Sequence, residues 1–206
     1  MGKVITIAQQ KGGAGKTTLA VNLAVEFLLR GQRVALLDTD PQGSLGRWFM
    51  ARREFGTEGL DFSTASAWGV SYECEKLRKT NDLIIVDTPP KVDADLRPAL
   101  READIVLIPV ASSHVDLWAV DGVLDLVGRE GRKALLVLNR WKSGTRLAGT
   151  VATAASAKAT LAEARLASRM AYAETLGEGR GVAEGRGPAK AEIAALADEV
   201  AALLQP

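Results

Sequence analysis

The chain has 206 residues, of which 47% are hydrophobic and 25% are charged, and its formal net charge is +1. This length suits one α/β domain with a sizeable core, so we expect a single domain over residues 1–206. The only cysteine, Cys74, excludes a disulfide framework and a cysteine-rich metal or iron–sulfur site. No secretory signal or membrane-spanning run is visible, which predicts a cytoplasmic protein.

The first motif along the chain is a glycine-rich loop between a strand and a helix. Residues 4–8 form an apolar run typical of a buried strand, and residues 19–29 form a helical run that ends before Gly31. Between them, residues 9–18 read QQKGGAGKTT. In this context the successive N–H groups of the loop form a concave anion site, which the helix N-terminus reinforces. The pattern predicts a phosphate-binding loop.

The residue types in this loop have defined tasks. Lys16 would reach the β- and γ-phosphates of a nucleotide, and the Thr17 hydroxyl would bind Mg²⁺. The glycines let the backbone wrap closely around the phosphates. The predicted nucleotide contacts of the loop are Lys11, Gly12, Gly13, Ala14, Gly15, Lys16, Thr17 and Thr18. The loop departs from G-x-x-x-x-G-K-[ST], because Gln10 replaces the first glycine and Lys11 adds a second lysine.

The form K-G-G-x-G-K-T resembles the ParA/MinD family of P-loop ATPases. The resemblance implies a P-loop NTPase fold, with a doubly wound, mostly parallel sheet flanked by helices, and it implies ATP and Mg²⁺ as cofactors. It also implies that Lys11 crosses a nucleotide-sandwich homodimer to contact the phosphates bound by the other subunit, and that Lys11 is catalytic together with Lys16. The alternative is a glycine-rich turn with solvated lysines, which this spacing between strand and helix disfavours.

Two acids follow the second predicted strand, residues 33–37. The segment D-T-D-P-Q begins at Asp38, and ligands of open α/β sheets bind beyond such strand ends. The segment resembles switch I of the family, which implies that Asp40 positions or activates the attacking water and that Asp38 helps hold the Mg²⁺ shell. Such placement is what phosphoryl transfer requires. Acids at a strand end are also common helix caps, so the functional interpretation depends on the neighbouring loop.

A third acid ends a strand that is apolar on both faces. Helices are predicted at residues 43–56 and 71–80, with a short strand at 60–63 between them. Residues 83–86 read LIIV, which suits a fully buried strand. Asp87 follows as in a Walker B motif, where the acid holds Mg²⁺ through a water. The next residues, T-P-P, resemble switch II of the family.

Two more strands are predicted at residues 103–109 and 133–138, the second being the last clear strand, with a helix at 116–128 between them. Residues 109–118 resemble a P-V-x-P-S-x-x-D-x-W stretch of relatives that move plasmids and protein clusters. The single histidine in it, His114, suits a loop or cap better than a general base. The resemblance also implies base contacts by Asn139 and, before the final helix, by Pro188. Asparagine after a strand is equally an ordinary turn residue.

The C-terminal part is rich in alanine and carries a modest basic surplus. Residues 145–162 predict one long helix. Residues 140–186 contain eight basic and four acidic side chains. The resemblance implies DNA binding without sequence preference, with Arg165 and Arg169 as first candidates and Arg146 as third. Such binding would rest on phosphate contacts and depend on salt, whereas a merely solvated face is an equal alternative.

The resemblance covers nearly the whole chain and implies a small ParA-type ATPase. It would dimerise on ATP, bind nonspecific DNA and position DNA or a protein cargo over the nucleoid. Because no arginine finger is identifiable, we expect slow hydrolysis that a ParB-like or cargo-adaptor protein stimulates. The phosphate loop begins at residue 9, so neither an N-terminal DNA-binding extension nor operator-specific repression is expected.

Two other functions share this fold. A MinD-like ATPase would cycle on a membrane through a basic amphipathic helix at its end. Here the final helix, residues 191–204, carries Glu192, Asp198 and Glu199 with only Lys190 beside them, which opposes attraction to acidic lipid. We therefore expect this helix to pack on the domain. A metabolic ATP-dependent ligase would need a small-molecule pocket, and no residues indicate one.

Overall fold

The computed structural model describes residues 1–91 and 96–205 of the chain. Within them, strands and helices alternate up to the last strand, which is followed by two α-helices. The strands are β1 (Lys3–Ile7), β2 (Val34–Asp38), β3 (Leu60–Thr64), β4 (Leu83–Asp87), β5 (Ile105–Ala111), β6 (Lys133–Trp141) and β7 (Leu161–Ala167). The helices are α1 (Lys16–Leu29), α2 (Ser44–Glu54), α3 (Val70–Leu77), α4 (Arg97–Glu102), α5 (His114–Arg129), α6 (Arg146–Ser156), α7 (Met170–Gly177) and α8 (Pro188–Leu204).

The described strands form one seven-stranded sheet in the order β3-β2-β4-β1-β5-β6-β7. Each neighbouring pair runs parallel. A parallel pair needs a long crossover, which explains the alternation of strands and helices. The strand order reverses direction around β1, so the loop after β1 lies where ligands bind in such sheets. The predicted doubly wound sheet is confirmed, and it is parallel throughout the described residues.

Helices cover both faces of the sheet. Ile5 and Ile7 of β1 point into a core shared with α1, α2, α7 and α8. Val4 and Ala8 point to the other face, where α3 to α6 pack. Because both faces are buried, the central strands are continuous apolar runs rather than alternating ones. Each predicted strand up to residue 138 is confirmed, with ends shifted by a few residues.

The prediction of one helix over residues 145–162 was wrong. Helix α6 ends at Ser156, and the chain then forms β7 at the edge of the sheet. Side chains of β7 alternate, since Ala164 and Leu166 are buried while Glu163 and Arg165 are exposed. This period of two is typical of a strand, and pairing with β6 outweighs the helix propensity of alanine. It was also wrong that the strand at 133–138 is the last one.

Helix α8 packs on the domain, as predicted. Its apolar face is buried in the core. Glu199 accepts hydrogen bonds from the N–H groups of Glu163 and Ala164, at 2.9 and 2.6 Å, and Glu192 accepts one from Ala167 at 3.1 Å. These carboxylates cover donors that an edge strand would otherwise expose. Among the described residues, no helix combines the length and apolar character needed to cross a membrane.

Candidate functional site

The loop between β1 and α1 is anchored at both ends by buried amide side chains. Gln9 is fully buried, and its Nε2 donates to the Pro109 carbonyl at 3.1 Å while its Oε1 accepts from the Gln10 N–H at 2.8 Å. Asn139, after the apolar part of β6, donates from Nδ2 to the Ala14 carbonyl at 2.9 Å. Buried polar groups are costly unless they are paired in this way. The shape of the loop is therefore fixed by the ends of β5 and β6.

Gly15 shows why this loop requires glycine at its end. Its φ angle is 91°, in the left-handed region that side chains rarely adopt. A Cβ atom there would also collide with Nδ2 of Asn139. Sequence reasoning assigned the glycines to close approach of phosphate. The structure adds that Gly15 makes room for the asparagine that anchors the loop.

Charged groups converge where α1 begins. Lys16 is the first residue of α1, and only 7% of it is exposed. Burial lowers the pKa of its ammonium group, and the carboxylates of Asp87 and Asp40 partly offset this effect. The Thr17 hydroxyl donates to Oδ2 of Asp87 at 2.6 Å. Three of the predicted site residues thus meet around the first turn of α1, with Asp40 close enough to act on Lys16 electrostatically.

Asp87 fits a divalent cation. Its Oδ1 is buried and has no hydrogen-bond partner among the described residues. Burial above all, and then Asp38, raises the pKa of Asp87 to about 7 against the opposing effects of Thr17 and Lys16. Mg²⁺ needs few protein ligands, because it retains waters and takes substrate phosphate oxygens. Thr17 and Asp87 supply oxygen ligands of the kind that this ion takes.

The raised pKa of Asp87 predicts how stability changes with pH. An unfolded aspartate titrates near 4, whereas Asp87 titrates at about 7 in the fold, so the folded chain binds the extra proton between these values. The free energy of unfolding should therefore fall by roughly 2–4 kcal/mol from pH 4 to 8 through this group. Asp87→Asn should remove that fall. Urea unfolding without nucleotide or Mg²⁺ measures it, and an equally steep pH dependence in the variant would contradict the assignment.

Asp38 and Asp40 occupy the start of the loop after β2. Asp38 is 3% exposed, and its two oxygens accept the N–H groups of Asp40 and Gly46, each at 3.0 Å. It therefore fixes this loop and the first turns of α2. Asp40 is half-buried and accepts the Gln42 N–H at 2.9 Å. Of the two, Asp40 lines the space beside the phosphate loop, so the magnesium role of Asp38 stays a prediction.

Two adjoining cavities lie along the carboxyl ends of the strands. The first, of about 320 Å³, is called the loop cavity here, and the second, of about 160 Å³, the side cavity. The loop cavity is lined by Gly12, Gly13, Gly15, Lys16, Thr17, Thr18, Asp40, Ser44, Pro90, Arg140 and Leu176. The side cavity is lined by Thr18, Asn139, Arg140, Ala167, Ser168, Arg169, Tyr172, Ala173 and Leu176. A polar loop cavity joined to a partly apolar one suits a triphosphate joined to a nucleoside.

Pro188 is not brought to either cavity. It is exposed in the first turn of α8, and the side cavity is closed instead by the β7–α7 connection. Sequence reasoning missed this wall because it missed β7. It also missed Arg140, although an Asn-Arg pair directly after an apolar strand was visible. The other predicted base contact, Asn139, does line the side cavity.

Lys11 pairs with an acid of its own chain. Its Nζ lies 2.6 Å from Oδ2 of Asp116, whose side chain is only 3% exposed. The Ser113 hydroxyl also donates to this carboxylate, and Ser113 caps α5 by accepting the Asp116 N–H at 3.1 Å. Close to Asp116 in the sequence, Val115 and Trp118 are 55% and 67% exposed. The D-x-W stretch thus combines a buried partner for Lys11 with an exposed apolar surface.

The three arginines predicted to contact DNA have different surroundings. The Arg169 guanidinium donates twice to Oε1 of Glu192, at 2.8 and 2.6 Å, and this pairing raises its pKa. Its guanidinium group is therefore already held by a carboxylate. Arg165 lies over the ring of Trp141, 4.7 Å from the centroid, which fixes an exposed guanidinium at the sheet edge. Arg146 is exposed at the start of α6.

Comparison with known proteins decides the family. The protein-family model described as the CobQ/CobB/MinD/ParA nucleotide binding domain matches residues 5–176. The chain belongs to this family. The matched range of this CobQ/CobB/MinD/ParA member includes the glycine-rich loop, Asp38, Asp87 and Asn139, and it ends within α7.

Relatives of this family member include proteins of partition and positioning. The maintenance of carboxysome distribution protein A of Halothiobacillus neapolitanus is 34% identical over 146 residues, which are 66% of this chain and 65% of that protein. The chromosome-partitioning ATPase Soj of Thermus thermophilus is 34% identical over 147 residues, 58% of this chain and 59% of that one. The matches thus span less than two thirds of either relative.

A solved structure confirms the fold. A plasmid partition protein from Borrelia burgdorferi bound to AMPPNP has a TM-score of 0.80 at 21% identity, over 98% of this chain and 100% of that chain. Similarity at this level of identity concerns the fold alone. The predicted P-loop NTPase fold is confirmed.

Proposed function

We propose that the chain is a ParA-type ATPase that dimerises on ATP, binds nonspecific DNA and positions DNA or a protein cargo. The observation that carries the proposal is the convergence of Lys16, Thr17 and Asp87 at a loop that also carries Lys11. Membership of the family and relatives that partition chromosomes and distribute carboxysomes support it. On this proposal residues 1–206 form one ATPase domain.

ATP would occupy both cavities, with its phosphates in the loop cavity. The N–H groups of the loop and the first turn of α1 surround the phosphates, and Lys16 compensates their charge. Thr17 and Asp87 would hold Mg²⁺, which when bound compensates charge on the β- and γ-phosphates. The AMPPNP bound to the Borrelia relative supports this choice of ligand. Asn139 would then fix the loop and contact the base from the side cavity.

Hydrolysis would require Asp40. A half-buried carboxylate at the wall of the loop cavity is suited to orient a water molecule toward the γ-phosphate. Asp38 keeps the loop of Asp40 in place through the two main-chain bonds described above. Among the described residues of one subunit, Lys16 is the single buried cation of this cluster, so without a second subunit the charge that develops in the transition state is incompletely compensated. Slow basal turnover, raised by a ParB-like or cargo-adaptor protein, follows.

Dimerisation would exchange the partner of Lys11. Without a second subunit, Lys11 neutralises the buried carboxylate of Asp116. A triphosphate bound by another copy carries more negative charge than one carboxylate. Its contact with Lys11 therefore compensates for the loss of the ion pair between Lys11 and Asp116. Val115 and Trp118, which are exposed close to Asp116 in the sequence, would be covered at the same time. This exchange makes the dimer depend on ATP.

DNA binding would use the β6–β7 edge of the dimer. Arg165 is exposed and held by Trp141, and Arg146 is exposed nearby in sequence after β6. We leave Arg169 out, because Glu192 occupies its guanidinium. A nucleoid-associated location follows from this proposal. A MinD-like role on membranes is not supported, since α8 buries its apolar face and its acids hold Arg30, Arg169 and β7.

Retention of DNA with different nucleotides tests this function. With ATP and Mg²⁺ the protein should retain double-stranded DNA of any sequence, and with ADP or no nucleotide it should not. Affinity should fall linearly with the logarithm of salt concentration, and Arg146→Ala and Arg165→Ala should each reduce that slope by about 1. Lys79 is exposed after α3, at the opposite end of the sheet, so Lys79→Ala is the matched control. DNA binding independent of nucleotide, or sedimentation with acidic liposomes instead, would refute the proposal.

A further inference from the structure

Arg140 has an unusual backbone conformation. Among the described residues it is the one non-glycine residue with a positive φ angle, 51°. Such residues are uncommon and tend to occur where a site requires them. Here Oδ1 of Asn139 accepts the Arg140 N–H at 2.8 Å, and Nδ2 of the same asparagine holds the Ala14 carbonyl. The conformation is thus tied to the phosphate-binding loop itself.

Strand pairing is also irregular at Arg140. The pairing of β6 with β7 shifts register between Leu138 and Trp141, so Arg140 lies in a bulge. Bulges bend a strand and re-aim a side chain, and they are frequent next to active sites. A bulge costs hydrogen bonds between the two strands, which a regular strand would keep. The combination of bulge and left-handed backbone therefore calls for a function of Arg140.

The position of Arg140 identifies what it faces. Arg140, Thr18 and Leu176 are the three residues that line both the loop cavity and the side cavity. Of these, only Arg140 carries a charge. Its side chain is exposed, and no ion pair among the described residues includes it, in contrast to Arg169. An exposed arginine without an ion-pair partner among the described residues thus lines the junction of the two cavities.

We propose that Arg140 is a second cation of the nucleotide site and contacts the α-phosphate of the bound nucleotide. A nucleotide with its β- and γ-phosphates at Lys16 and its base beside Asn139 has its α-phosphate at this junction. Guanidinium groups bind phosphate oxygens through charged, directional hydrogen bonds. The inference rests on the proposed ATP binding and deepens it. It assigns Arg140 to the nucleotide rather than to DNA.

The test compares ligands that differ only in their phosphates. Equilibrium affinities for ATP, AMP and adenosine are measured without DNA for the wild type, Arg140→Ala, Arg140→Gly and Lys142→Ala. In both Arg140 variants, ATP and AMP should bind about tenfold or more weakly, while adenosine affinity should not change. Lys142 is exposed two residues further on and lines neither cavity, so Lys142→Ala should match the wild type.

The glycine variant separates the ligand contact from backbone strain. Glycine adopts a positive φ without cost, so Arg140→Gly should melt at or above the temperature of Arg140→Ala while still binding weakly. Native affinity in Arg140→Gly would overturn the inference, because the backbone alone would then matter. Equal loss of adenosine affinity would overturn it too. Unchanged ATP affinity in both variants refutes this inference alone, whereas absence of ATP binding by the wild type refutes the proposed function as well.

Discussion

Replacing Lys16 with alanine is expected to abolish measurable ATP binding. Lys16 is the buried cation of a cluster that otherwise contains the carboxylates of Asp87 and Asp40. Without it, these carboxylates would face the phosphates uncompensated. The loss of a charged, buried contact should weaken binding by about a hundredfold or more. Titration with a fluorescent ATP analogue in the presence of Mg²⁺ measures the effect.

The fold of this variant should survive. Because burial opposes the charged form of Lys16, removing the ammonium should cost little stability when no nucleotide is present. Lys11→Ala is the matched control, since Lys11 contacts Asp116 rather than the loop cavity, and it should retain ATP binding. A correctly folded Lys16→Ala protein with native ATP affinity would contradict the assignment of the phosphate loop.

Replacing Asp40 with alanine is expected to stop hydrolysis while ATP binding persists. Loss of a group that orients or activates water typically costs a factor of about 10²–10⁴ in rate. Phosphate release under single-turnover conditions measures the rate. The dimer should then accumulate with ATP, because nothing returns it to the monomer. A variant that stays monomeric with bound ATP would contradict the role given to the loop after β2.

Asp40→Asn separates chemistry from structure. The asparagine oxygen can still accept the Gln42 N–H, so the loop should keep its shape. The variant lacks the negative charge, so it should hydrolyse ATP as slowly as Asp40→Ala does. Native turnover in Asp40→Asn would mean that Asp40 acts only through its main-chain contact.

The phosphate loop and the strands around it could be predicted because their signals are local. Glycine spacing, Lys16 and the apolar run before Asp87 are each contained in a few consecutive residues. Parallel pairing then brings Asp38 and Asp87 side by side, because they are register partners at the ends of β2 and β4. The family resemblance contributed the roles of Lys11 and Asp40, which the local pattern did not determine.

Long-range contacts could not be predicted from the sequence. Lys11 and Asp116 are far apart in the chain, and only the fold brings them together. The same holds for Asn139 and Ala14, so the anchoring of the loop was missed although Asn139 itself was chosen. Arg169 was chosen for its charge, but its pairing with Glu192 depends on how α8 packs. In β7, alanine content suggested a helix where cross-strand pairing prevails.

In the proposed dimer, Lys11 leaves Asp116 and joins two subunits across bound ATP. The most direct test of this exchange is the molecular mass in solution, by light scattering, of the wild type and of Lys11→Ala, each saturated with AMPPNP and Mg²⁺. The wild type should have twice the mass of one chain, whereas Lys11→Ala, although saturated with the analogue, should stay at the mass of one chain. A wild type that remains a monomer, or a Lys11→Ala protein that dimerises normally, would show that Lys11 does not join the two subunits.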